Sequence, residues 1–222
     1  MRGSSRAAAI NGQNALREVI GSIDAADLAE QLFAAGTTVE GNATLRRALS
    51  DPSREGSDKD GLARRLFGGK VSDQATHVLA VLAGQRWSDE RDLTDTIENF
   101  GVAALAESAD RAGRLQQVED ELFRFERIVA GNPALRDALT NRQSSGVGKS
   151  ELVGKLLDGK AAPETVRLAR QAVGKRSDGI LAEVKVGKPP RTHWDMLRER
   201  RSIEELEEIL AERLEVLRKD TP

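Results

Sequence analysis

One pattern constrains this chain more than any other: a long stretch recurs, without a gap, ninety positions later. Leu32–Gln85 aligns with Leu122–Lys175, pairing LFAAGTTVEGNATLRRALSDPSREGSDKDGLARRLFGGK with LFRFERIVAGNPALRDALTNRQSSGVGKSELVGKLLDGK. The identities include Leu32/Leu122, Phe33/Phe123, Gly41/Gly131, Asn42/Asn132, Leu45/Leu135, Leu49/Leu139, Lys59/Lys149, Leu62/Leu152, Gly69/Gly159 and Lys70/Lys160. Two copies are too few for a solenoid, so the expectation is two related helical bundles in succession.

Both copies parse alike. Leu32–Val39 ends a helix, with Gly41 as a left-handed stop, and Asn42 or Asn132 caps a short helix carrying Leu45/Leu49 or Leu135/Leu139. A polar turn, DPSREGS or NRQSSG, leads to an amphipathic helix over Lys59–Phe67 or Lys149–Leu157, closed by Gly69 or Gly159. Ser72 or Pro163 opens the next helix, which runs to Gly84 or Gly174. Between the copies, Asp89–Val129 carries apolar residues at helical spacing, with Gly113 as its break.

Composition agrees with an all-α class. Ala, Leu, Arg and Glu dominate, aromatic residues are 3% and charged residues 32%. The chain has 222 residues and no Cys, which excludes disulfides and thiolate metal sites. Its 34 basic and 36 acidic residues leave a net charge of −2, so bulk attraction to nucleic acid or anionic lipid is not expected. The N-terminus lacks the apolar run of a secretory signal and no segment has membrane-spanning length, so a cytoplasmic location is the expectation.

After Lys175 the pattern changes. Ile180–Gly187 (ILAEVKVG) alternates as a short strand would, and Lys188-Pro189-Pro190-Arg191 reads as a stiff basic linker. Thr192/Asp195 and Ser202/Glu205 supply caps for two helices, the second over Ile203–Arg218. The expected organisation is a first bundle over 1–88, a second over 89–175, a linker over 176–191 and a helical hairpin or arm over 192–222.

The strings MRGSSRA, LRRALSDPSREG, GGKVSD, RWSDERDL and RAGRLQQVEDELFRFERIVAGNPALRDAL make residues 1–183 resemble the delta subunit of actinobacterial F-type ATP synthases. That resemblance implies a non-catalytic helical bundle on the head of the enzyme, peripheral at the inner face of the cell membrane. It would hold the N-termini of alpha subunits, join the head to the stalk b subunit, and so support proton-driven ATP synthesis. The partner helix would lie in a groove between the first helix (Ala7–Ile20) and the long helix after Trp87, against Leu16, Val19, Leu93, Ile97 and Phe100. The alternative is that these five residues are core.

The tail KPPRTHWDMLRERRSIEELEEILAERLEVLRK resembles a second family, the C-terminal segment of RNA polymerase-binding protein A. There the resemblance implies contact with region 2 of a principal sigma factor through Trp194, Met196, Leu197, Arg200, Arg201, Ile203 and Leu206. Lys185, Lys188 and Arg191 would meet promoter phosphates, giving salt-sensitive affinity without base readout. The alternative is a tail helix that closes the second bundle.

Other signals are weaker. Ser145–Ser150 (SGVGKS) resembles the end of a phosphate-binding loop, but its first glycine position is Gln143 and no buried strand precedes it. His77 and His193 are far apart and neither sits in a ligand cluster, so no metal, cofactor, small-molecule substrate or catalytic residue is expected.

Overall fold

The computed structural model describes residues 3–141 and 143–174. Among these the chain is all-α: α1 (Gly3–Ile20), α2 (Ala25–Gly41), α3 (Ala43–Ser50), α4 (Gly56–Phe67), α5 (Asp73–Gly84), α6 (Glu90–Arg111), α7 (Leu115–Gly131), α8 (Pro133–Thr140), α9 (Gly146–Leu157) and α10 (Pro163–Gly174). The described residues all belong to one compact unit. The expected strand at 180–187, the linker and the arm lie outside the described residues.

The ninety-residue register extends to element bounds. Helices α2 to α5 begin and end ninety positions before α7 to α10. The same chemistry sets each boundary. Asn42 Oδ1 accepts from the Leu45 N–H at 3.0 Å, and Asn132 Oδ1 accepts from the Leu135 N–H at 3.1 Å. Gly69 and Gly159 follow α4 and α9 with φ of 71° and 73°. A duplication as the origin of this register is a proposal.

Three local expectations need correction. Gly41 is not a left-handed stop: it is the last residue of α2, and its φ is not positive. Asn42 performs the turn instead, in extended conformation, closing α2 through its N–H to the Val39 carbonyl while its side chain opens α3. One residue thus does the work of two. Helices α4 and α9 also begin a turn early, at Gly56 and Gly146, and those glycines cross closely over the ends of α5 and α10. A Cβ at Gly56 would stand 2.6 Å from the Gly84 carbonyl oxygen, and one at Gly146 would stand 2.4 Å from that of Gly174. The first helix begins at Gly3, ahead of Ala7, and Ser5 is fully buried beneath Ser88.

The break at Gly113 is present. Its φ is 67°, the Arg114 N–H reaches the Ala109 carbonyl at 2.8 Å, and the Gly113 N–H reaches that of Asp110 at 2.9 Å. This is the glycine-terminated close of a helix that turns the chain sharply. Helix α6 therefore ends there, and it packs against α2 and α1 of the first module although the sequence-based boundary falls before it.

The main core joins α1 to α6 through Leu28, Leu32, Phe33, Val39, Val78, Leu82, Leu93, Ile97 and Phe100, among others. A smaller core in α7–α10 is built from Val129, Leu139, Val153, Ala169 and Val173. Between them lies a patch of small residues, Ala109, Val118 and Ala162.

Candidate partner-binding groove

The first helix is the element on which the expected groove depends. Its inner face consists of Ser5, Ala8, Gly12, Ala15 and Leu16, all buried. The small residues have a purpose. A Cβ at Gly12 would stand 2.3 Å from Leu82 Cδ2 of α5 and 2.9 Å from Phe100 Cε2 of α6. Gly12 thus lets α1 sit down into the notch between α5 and α6, and dispersion contacts follow from that close approach.

Polar bonds fix the ends of α1. Arg111, at the close of α6, donates through Nη2 to the Ile20 carbonyl at 2.8 Å and through Nη1 to that of Ile23 at 3.3 Å. A cation at a helix C-terminus satisfies free carbonyls and complements the helix dipole. At the other end, Ser5 Oγ accepts from the Ser88 N–H at 2.9 Å. Trp87 anchors the corner between α5 and α6, its indole N–H donating to the Leu82 carbonyl at 2.9 Å.

Against this geometry the five expected groove residues divide. Leu16, Leu93, Ile97 and Phe100 are at most 3% exposed and belong to the main core. Val19 is half-buried and packs on that core from the edge. The four are thus a supporting floor beneath the α1–α6 surface. Helical spacing finds an apolar stripe, but it does not say whether the stripe meets a neighbour in the same chain or a partner.

The surface of α1 carries features that the five residues do not include. Ile10 is 53% exposed, on the side of α1 opposite Gly12 and between Arg6 and Arg17. Along the α1–α5 seam, Asn11 Nδ2 donates to Gln85 Oε1 at 2.8 Å, and His77 Nε2 lies 3.6 Å from Glu18 Oε2. Ile10 was detectable in principle: on a helical wheel it falls apart from Ala8, Gly12, Ala15 and Leu16. The seam was not, because it depends on the antiparallel register of two helices sixty residues apart.

Lys59 positions this seam from below. Its side chain is buried, and Nζ donates to the Gln85 carbonyl at 2.7 Å, just past the end of α5. Burial lowers its pKa from the ordinary 10.5, with Asp51 acting in the opposite sense. Its counterpart Lys149, the lysine of the SGVGKS string, is 4% exposed. Ser145 Oγ caps α9 by accepting from the Gly148 N–H. Ser145 thus serves the helix pair as a cap, whereas its register partner Glu55 makes no side-chain cap at α4.

A cavity of about 400 Å³ lies at the α9–α10 corner, lined by Asp158, Gly159, Ala161, Pro163, Val166, Arg167 and Arg170. Both arginines are committed to carboxylates, Arg170 to Asp158 at 2.8 Å and Arg167 to Glu30. Among the described residues no group of acids and histidines is arranged to hold a metal ion. The expected sigma-contact and phosphate-contact residues, from Lys185 to Leu206, lie outside the described residues.

Among the described residues the protein is thus an all-α helical bundle whose helices α7–α10 repeat the bounds of α2–α5 ninety positions on. Its relatives give the family. It is 43% identical over 182 residues to ATP synthase subunit delta of Nocardia farcinica, covering 81% of this chain and 68% of that one. It is 44% identical over 164 residues to the Kineococcus radiotolerans subunit, covering 72% and 59%, and 40% identical over 190 residues to that of Rhodococcus opacus, covering 82% and 68%. The chain belongs to the ATP synthase subunit delta family. It spans roughly three fifths of the length of the curated relatives it matches. A model of a second family, described as RbpA, RNA polymerase-binding protein, matches residues 150–218.

Proposed function

We propose that this chain is a structural subunit of the peripheral stalk of an F-type ATP synthase, linking the catalytic head to the membrane sector. The observation that carries the reading is the 43% identity over 182 residues to a subunit delta, a span matching the length of the described modules. The architecture suits a stator, which transmits force and needs rigidity. Close helix crossings at glycines, side-chain caps and a continuous core over α1–α6 all restrict relative motion of the helices. No helix among the described residues is long and apolar enough to cross a membrane, which fits a subunit peripheral to it.

The partner in this reading is the amphipathic N-terminal helix of an alpha subunit, with the stalk b subunit as the second contact. The partner helix lies along the exposed face of α1, with Ile10 meeting it directly and Val19 supporting α1 from the edge of the core. Leu16, Leu93, Ile97 and Phe100 hold the backbone of that surface in place from within the core. The test is a pull-down with two labelled baits, an alpha-subunit N-terminal peptide and sigma region 2. Capture of the first alone supports the stator reading.

A second reading rests on the match of residues 150–218 to the RNA polymerase-binding protein family. Residues 188–219 would bind a principal sigma factor through Trp194, Met196, Leu197, Arg200, Arg201, Ile203 and Leu206, with Lys185, Lys188 and Arg191 near promoter phosphate. Capture by sigma region 2 that falls with Arg200→Ala and Arg201→Ala would favour it.

A further inference from the structure

The two modules meet through a surface unlike either core. Its apolar centre is small, consisting of Ala109, Val118 and Ala162, with Leu115, Leu122 and Leu168 packed around it. Around that centre runs a ring of charged and amide groups. The Arg167 guanidinium of α10 lies over the Phe33 ring of α2, 4.5 Å from its centroid, and binds both carboxylate oxygens of Glu30. Arg167 Nη1 donates to Gln171 Oε1 at 2.9 Å, and Gln171 Nε2 donates to Glu98 Oε1 of α6 at 2.9 Å. Within the second module, Arg114 at the start of α7 donates to both oxygens of Glu164 of α10, the shorter bond being 2.6 Å, and so holds α10 to its own module. Glu164 is 5% exposed and Glu98 is 6% exposed.

From this we infer that α10 is an ionic strap: it fastens the second module to the first, and it releases without unfolding either one. The modules' own cores are apolar; beside the strap's polar groups, half-buried Leu168 of α10 packs against the main core. The strap depends on pairs whose partners are partly solvated, so screening weakens them. Burial of Glu98 carries a desolvation penalty that opening relieves. The connection needed for such motion is a single corner at Gly113, where α6 has already ended and α7 has not begun.

The chain has no cysteine, so labels are placed cleanly. Thr44→Cys in α3 and Ala134→Cys in α8 are both exposed and report on the distance between modules. Asn14→Cys with Thr44→Cys reports within the first module. Distance distributions are measured by pulsed electron spin resonance on the full chain at about 0.1 M and about 1 M salt, screening lengths of roughly 10 and 3 Å. The expected result is a second, longer inter-module population that grows with salt. Arg167→Gln with Gln171→Ala produces it already at low salt, at unchanged helical circular dichroism and unchanged distance within the first module. Arg167→Lys restores part of the short population, because it keeps the charge and loses the planar fork. Inter-module distances that ignore both salt and the substitutions would overturn the inference. So would separation that comes only with loss of helicity, which would make the seam part of one cooperative core.

Discussion

Phe33 seats its ring on the backbone of Gly101: a Cβ built at Gly101 would stand 2.6 Å from Phe33 Cε1 and 2.8 Å from Cδ1. Arg167 lies over that ring, 4.5 Å from its centroid, so it has little room to retreat. Gly101→Ala is therefore expected to destabilise the fold by up to about 2 kcal/mol. Overpacking at such a site costs about 1–3 kcal/mol, and the better helix propensity of alanine returns about 1 kcal/mol. Urea denaturation measures it, and an increase in stability would show that the ring moves freely.

Phe123 occupies the register position of Phe33, yet it is 58% exposed, with Arg127 5.9 Å from its ring centre. The first module has α6 over this face of α2. Among the described residues, α7 has no such cover. Phe33→Ala is expected to cost about 3–5 kcal/mol and Phe123→Ala about 0.5 kcal/mol or less. Similar losses from both would mean that the second module buries its phenylalanine as the first does.

Lys59 gives a signed pH dependence. Its pKa lies below the ordinary 10.5 because it is buried, so the unfolded chain holds that proton more tightly than the folded one. Stability from this group then rises with pH between its folded value and 10.5. Comparing wild type with Lys59→Met from about pH 8 upward isolates the effect. The difference in unfolding free energy between them is expected to shift in favour of wild type as pH rises.

Glu121 behaves in the opposite region. Burial pushes its carboxyl up, but bonds from Thr165, Gln117 and the Ala162 N–H, together with Arg124, leave it below its ordinary 4.5. Its contribution is full above that ordinary value and is lost as pH falls through the lower folded one. Glu121→Gln is expected to flatten the acid limb of stability for the α7–α10 module. An unchanged acid limb would mean that these bonds survive protonation.

Much of the fold was legible because it is written in local chemistry. The caps at Asn42, Ser72 and Asn132 and the break at Gly113 each depend on residues a few positions apart. Gly41 misled because a glycine after a helix usually takes the left-handed turn, whereas here the asparagine beside it takes over. The candidate groove was legible only as an apolar stripe. Whether Leu16 or Phe100 faces solvent depends on how deep α1 sits, and Gly12 decides that through contacts with Leu82 and Phe100, about seventy and ninety residues away. The strap was hidden for the same reason, since nothing near Arg167 in the chain points to Glu30 or Phe33.

The most direct measurement is a titration of the full chain with a peptide of the alpha-subunit N-terminal helix, followed by calorimetry. The stator reading predicts saturable binding with Kd of about 10 μM or tighter, equivalent to roughly 7 kcal/mol. Ile10→Asp should weaken it at least about tenfold at unchanged helicity, and Arg200→Ala with Arg201→Ala should leave it unchanged. No binding at ~100 μM, or binding indifferent to Ile10→Asp, would contradict it.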